Sequence, residues 1–85
     1  MLVFVYAPWC GHCKKFKPIW QKVKQKYQGK VQAFEVNGDK HGELVKKLGV
    51  QGFPTVLFIH NGQQVEFEGD RSVAGLEKFF QQAMK

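Results

Sequence analysis

Cysteine is scarce in this chain: two among 85 residues, standing three positions apart. That excludes the disulfide-dense framework of small secreted domains. No apolar run approaches the roughly eighteen residues of a membrane span, and no basic segment precedes Met1-Leu2-Val3, so neither an anchor nor a signal peptide is read. Taken as complete, the chain is expected in the cytoplasm; as one domain of a longer protein, in the endoplasmic reticulum or another oxidising compartment. Linkers, repeats and low-complexity tracts are also lacking, so residues 1–85 are read as a single domain. Hydrophobic residues reach 44%, and eight of the twelve aromatics are Phe, enough to build one core without staples.

Acid is scarce too, with seven Asp and Glu against thirteen Lys and Arg, a net charge of +6. Nucleic acid is the first thought for such a balance, but the distribution argues against it. Lys14, Lys15, Lys17, Lys22, Lys24, Lys26 and Lys30 interleave with Phe16, Ile19, Trp20, Val23 and Tyr27, which repeat at helical spacing. The simplest reading is the solvated face of a helix; a surface for an acidic partner beside the active site is the alternative. Neither nucleic acid nor membrane is expected as a partner, and the chain is expected to be a monomer.

What is present is Trp9-Cys10-Gly11-His12-Cys13, placed where an apolar strand gives way to a helical pattern. A helix N-terminus offers unpaired N–H groups and partial positive charge, and both favour thiolate over thiol. In such sites a thiol pKa falls from about 8.5 to roughly 3.5–7.5. Cys10 is therefore the candidate nucleophile. Cys13, one turn later and further inside, is the candidate resolving cysteine that attacks a mixed disulfide formed on Cys10. Two bland readings compete. Half a zinc site shows this spacing, yet His12, His41 and His60 do not form the usual second ligand pair, so no metal is expected. A structural disulfide closing so short a ring would constrain the unfolded chain little.

The pattern predicts a strand over 2–6, a helix over 10–28 kinked at Pro18 and capped by Gly29, and a strand over 31–36. A short helix over 40–48 turns Leu44, Val45 and Leu48 inward and ends at Gly49. Asn61-Gly62 joins antiparallel strands 55–60 and 64–68 by a type I′ turn, and Ser72 caps a last helix with Val73, Leu76, Phe79, Phe80 and Ala83 inside. The order is βαβαββα. The expected fold is α/β, a four-stranded mixed sheet flanked by three helices.

The CxxC pentapeptide, this element order and Gly52-Phe53-Pro54-Thr55 together resemble the thioredoxin superfamily, most closely the catalytic domains of protein disulfide isomerases. The resemblance implies that Pro54 is a cis-proline and that, with Trp9, Gly11 and Phe53, it borders a groove for an extended substrate. Phe67-Glu68-Gly69-Asp70-Arg71 resembles a family segment ending in an arginine that eases deprotonation of the second cysteine, which gives Arg71 that role. His12 stands where thioredoxins usually carry Pro. A charged or hydrogen-bonding imidazole there would stabilise the Cys10 thiolate and make the disulfide a better oxidant. Thioredoxin-like and isomerase-like potentials differ by roughly 90 mV, about 4 kcal/mol for two electrons.

Two departures stand out. The isomerase pattern has a buried acid where this chain has Phe4, and a lysine where it has Glu35; Glu35 is the candidate to supply the missing carboxylate. The chain also begins at the active-site strand, as the minimal, glutaredoxin-sized form of the fold does, which leaves 31–36 as a sheet edge. The expected function is thiol–disulfide exchange on protein thiols and disulfides, with the Cys10–Cys13 dithiol as its own cofactor. A cytosolic thioredoxin- or glutaredoxin-like reductant, recharged by a reductase or by glutathione, is the alternative within that chemistry. A peptide-binding module is the alternative outside it.

Overall fold

The structure is a computed structural model that describes residues 1–69 and 71–83. Its elements run β1 (Leu2–Tyr6), α1 (Gly11–Lys26), β2 (Ala33–Asn37), α2 (Gly42–Leu48), β3 (Thr55–His60), β4 (Gln63–Glu66) and α3 (Val73–Ala83). The sheet order is β2-β1-β3-β4, with β1 and β2 parallel and the other two pairs antiparallel. This is the expected mixed sheet, with β2 at one edge.

β1 is central and buried on both faces, which is why its sequence is a continuous apolar run rather than an alternation. Leu2 and Phe4 point to the face covered by α1 and α3, where they join Phe16, Trp20, Val23, Tyr27, Val56, Phe58, Leu76 and Phe80. Val3 and Val5 point the other way and join Val36 and Leu57, with Val45, Leu48, Val50 and Phe53 packed against them. Phe4 sits at the middle of the larger layer, its ring 5.5, 5.6 and 5.2 Å from those of Tyr6, Phe16 and Trp20. The indole N–H of Trp20 is sealed in the same layer without an acceptor among the described residues.

The pattern is refined at its ends. α1 begins at Gly11, with Cys10 as its N-cap rather than its first residue, and stops at Tyr27; Gly29, at φ 87°, serves the following turn. Pro18 lies inside an uninterrupted helix. β2 starts two residues later than expected and runs one further, and α2 starts at Gly42, ending at Gly49 with φ 73°. Leu44 is 40% exposed and does not face inward. Two turns of helix present only one stripe to the sheet, and Val45 with Leu48 fill it. β4 ends at Glu66, since Phe67 leaves the ladder after one further bond to the Val56 carbonyl and turns onto Phe16 and Phe79. The turn Asn61-Gly62 has φ 50° and 78°, the left-handed pair that a type I′ hairpin requires, and Ser72 Oγ accepts the Gly75 N–H as the cap of α3.

Phe4→Ala should remove about 3–5 kcal/mol of unfolding free energy, the usual range for emptying an aromatic site in a closed core. Urea unfolding checks it, and a loss below about 1 kcal/mol would show that the layer does not depend on this ring.

Candidate active site

Cys10 ends the β1–α1 loop with φ −84° and ψ 115°, the extended backbone of an N-cap residue. An oxygen normally takes the free amide of the first turn there; here Cys10 Sγ accepts the Cys13 N–H at 3.3 Å. Ala7 makes the turn by accepting the Cys10 N–H at 3.1 Å, and Ala7, Cys10 and Cys13 form a buried cluster against Tyr6 and Phe53. Both cysteines are reduced.

The two thiols are held differently. Burial by itself raises the Cys10 thiol. Against it act the Cys13 thiol, the N–H groups of Cys13 and His12, and the positive charge of Arg71, and the balance holds Cys10 below its ordinary value. Cys13 is pushed up to about 11, first by burial, then by the hydrogen bond it gives Cys10 and by the negative charge that Cys10 carries; the Ala7 backbone and Arg71 only soften the rise. Cys10 is thus the more acidic thiol of the pair, and Cys13 the one that holds its proton more tightly.

Phe53-Pro54 is a cis peptide, as the resemblance implies, and the Phe53 carbonyl lies 3.6 Å from Cys10 Sγ as the acceptor of its thiol. Thr55 Oγ1 donates to the Gly52 carbonyl at 2.7 Å and steadies this loop. Trp9 is 68% exposed and meets the edge of Phe53 with ring centroids 5.9 Å apart. The structure therefore brings Trp9, Cys10, Phe53 and Pro54 to one surface, with Gly11 exposed at its rim. Arg71 lines a cavity of about 270 Å³ with Phe53, Pro54 and Glu66. Asp70, in the segment that resembles the family's, lies outside the described residues.

His12 stands at the solvent side of the site. Its side chain is exposed, and its part in holding the Cys10 thiolate comes from its backbone N–H. Glu35 makes no hydrogen bond to either sulfur among the described residues; its carboxylate pairs with Lys24 at 3.2 Å. It does line a cavity of about 300 Å³ together with Phe4, Tyr6, Cys13, Lys17 and Asn37.

Two residues that sequence reasoning passed over complete the groove. Trp9 Nε1 donates to Asp39 Oδ1 at 3.1 Å. Gly38 passes so close to Phe53 that a Cβ there would lie 2.5 Å from the ring, so any larger residue would have to displace the Phe53 ring. Asn37 fixes this turn through Oδ1, which accepts the N–H groups of Asp39 and Lys40. The signal was available: a parallel β2 must end on the same side as β1, so the Asn-Gly-Asp cluster after it had to lie beside Trp9-Cys10.

The family model described as Thioredoxin matches residues 1–82. The chain belongs to the thioredoxin family. Among curated relatives it is 42% identical over 82 residues to the probable protein disulfide-isomerase A4 of Caenorhabditis elegans, covering 93% of this chain and 13% of that protein. It is 41% identical over 80 residues to protein disulfide-isomerase like 2-2 of Arabidopsis thaliana, covering 92% of this chain and 18% of the other. This thioredoxin domain thus spans less than a fifth of the length of these two relatives. Among solved structures, the J-Trx1 fragment of ERdj5 superposes with a TM-score of 0.89 at 29% identity, over 95% of this chain and 39% of that one. The first thioredoxin domain of mouse protein disulfide-isomerase A4 gives 0.84 at 28% identity, over 99% of this chain and 62% of that one.

When the reduced protein is treated with a neutral haloacetamide at pH 7, the first label should fall on Cys10, with Cys13 unlabelled until the pH nears 11. Peptide mapping by mass spectrometry over pH 6–11 measures this, and initial labelling at Cys13 would contradict the assignment.

Proposed function

We propose that this domain catalyses thiol–disulfide exchange on protein substrates, in the manner of a disulfide oxidoreductase and isomerase. The observation that carries the reading is Cys10 Sγ as helix N-cap: it accepts the Cys13 N–H beside the Phe53 carbonyl and is held below the ordinary thiol value, while Cys13 is pushed up to about 11. The Cys10 thiolate attacks one sulfur of a substrate disulfide, making the Cys10 mixed disulfide and releasing the other substrate sulfur as thiolate. Cys13 then gives up its proton and attacks Cys10 Sγ, which breaks the mixed disulfide, frees the second substrate sulfur and leaves Cys10–Cys13 oxidised. Run backwards, the same steps oxidise a dithiol. Release before Cys13 acts lets a substrate rearrange its own pairs.

The second step needs a base. With its pKa at about 11, Cys13 is thiolate in only about one molecule in ten thousand at pH 7. Glu35 is the proton acceptor in this proposal. Among the described residues it is the one carboxylate on the cavity that reaches Cys13, and it stands opposite Phe4 in the β1–β2 register, on the same sheet face. Arg71, whose charge favours both thiolates, assists, and Trp9 and Pro54 border the substrate. Protein thiols and disulfides are the partners, glutathione or a reductase exchanges electrons with the pair, and an oxidising compartment suits the isomerase direction.

Equilibrium with a glutathione redox buffer, followed by Trp9 fluorescence, tests the reading. A potential near −180 mV is expected, one near −270 mV would favour the reductant, and no reversible transition would overturn enzymatic exchange altogether.

Glu35→Gln should slow the Cys13-dependent decay of a Cys10 mixed disulfide by roughly 10²-fold, the lower end for loss of a general base, while Cys10 alkylation is nearly unchanged. Equal rates of decay in both proteins would remove Glu35 from the mechanism.

A further inference from the structure

The charge of this chain is not spread along it. Residues 1–34 contain seven lysines and no acid, while residues 35–85 contain all seven acids against the other six bases. The whole excess of +6 therefore comes from β1, α1 and the turn that follows.

A solvated helix face usually mixes signs, because Glu and Lys three or four residues apart stabilise the helix and like charges at those spacings oppose it. α1 carries six lysines and no acid, with like pairs at Lys14/Lys17 and Lys22/Lys26. Among the described residues only two of the six find partners on other elements, Lys24 with Glu35 at 3.2 Å and Lys26 with Glu77 at 2.8 Å. Both belong to the end of α1 remote from Cys10. Lys14, Lys15 and Lys17, at the active-site end, are exposed and make no ion pair among the described residues.

Position gives this asymmetry a use. At about 1.5 Å of rise per residue, Lys17 lies about 11 Å along the axis from Cys10, near the Debye length of about 10 Å at 0.1 M ionic strength, so at low salt all three charges reach a segment that flanks the reacting sulfur. Lys14 and Lys17 border the cavity that touches Ala7, Pro8 and Cys13. Arg71 adds its charge from the Pro54 side. Among the described residues the acids near the mouth do not cancel this charge: Asp39 accepts from Trp9, Glu66 shares the cleft of Arg71, and Glu35, on the Cys13 cavity, is one carboxylate against Lys14, Lys17 and Lys24.

We infer that the first two turns of α1 form a docking face for acidic segments flanking the reacting cysteine of a protein substrate. The inference rests on the exchange function proposed above and names its preferred substrate class. A protein partner fits better than nucleic acid because the face adjoins a dithiol and the exposed surface where Trp9 meets Phe53, whose carbonyl lies beside Cys10, and only a cysteine-bearing partner uses both.

Two disulfide-linked peptides, identical except for three Glu or three Lys beside the cystine, separate the possibilities. At about 20 mM salt the acidic peptide should exchange at least about tenfold faster, and the ratio should shrink severalfold by about 300 mM. In Lys14→Gln/Lys15→Gln/Lys17→Gln the ratio should fall towards one, whereas Lys46→Gln/Lys47→Gln on α2 should leave it unchanged. Equal rates for the two peptides at low salt, or a ratio that survives the triple substitution, would overturn the docking face. Stronger competition by single-stranded DNA than by polyglutamate of equal charge would overturn it in favour of nucleic acid. Should the triple variant fail to fold, the salt dependence of the wild-type ratio still decides. Exchange with neither peptide would remove the oxidoreductase reading itself, and this inference with it.

Discussion

Everything at the reactive end hangs on one bond, the Cys13 N–H given to Cys10 Sγ. In an ordinary helix a Ser, Thr, Asp or Asn oxygen takes that orphan amide. With sulfur in the role, capping the helix and stabilising the thiolate become the same interaction, and it is stronger for a charged acceptor than for a neutral one. Helix α1 is therefore best capped when Cys10 is an anion. Oxidation replaces that anion with a neutral disulfide sulfur, so stability of the helix end and reducing state are coupled. The direction follows: whatever holds the thiolate favours the dithiol and makes the disulfide the better oxidant.

The centre of the sheet shows a second constraint, a conflict between packing and proton transfer. Phe4 is 1% exposed and ringed by Tyr6, Phe16 and Trp20, so the position is given to the core. A carboxylate there would have to be desolvated among aromatics. Pairing β1 with β2 in parallel puts Glu35 beside Phe4 on the same face but at the sheet edge, where its side chain is 30% exposed to water. The ion pair with Lys24 joins half-exposed groups and is worth at most about 1 kcal/mol, so releasing the carboxylate for another task is inexpensive.

Much of this was legible because local signals agreed with one another. The CxxC spacing, the continuous apolar β1, the Asn61-Gly62 turn and the stripe from Val73 to Ala83 each point to a single conformation, and the fold contains all four. The failures are cases where neighbours decide. Leu44 fits a helical stripe as well as Val45 does, and only the width of the sheet beneath α2 leaves it outside. Phe67 reads as strand, yet Phe16 and Phe79 draw it out of the ladder. Gly38 and Asp39 look like an ordinary turn until Phe53 and Trp9, distant in sequence, are laid against them. At His12 the motif draws attention to the ring, and the structure adds the backbone N–H as a group that favours the Cys10 thiolate.

α1 then carries three demands along its length, and they are satisfied in different places. Its inner stripe of Phe16, Trp20, Val23 and Tyr27 supplies the packing that holds it to the sheet and to α3. Its far end neutralises two lysines, on Glu35 and Glu77. Its near end does the opposite, adding unpaired Lys14, Lys15 and Lys17 to a helix N-terminus that is already positive. Such crowding works against the helix, and a short helix alone would not bear it. It persists because the apolar stripe anchors the helix independently of its charges, which leaves the near end free to concentrate positive potential where Cys10 must carry a negative one. The Cys10 thiolate is favoured by the Cys13 thiol, two backbone N–H groups and Arg71, and the lysines add a separate positive field beside it that would draw an acidic substrate.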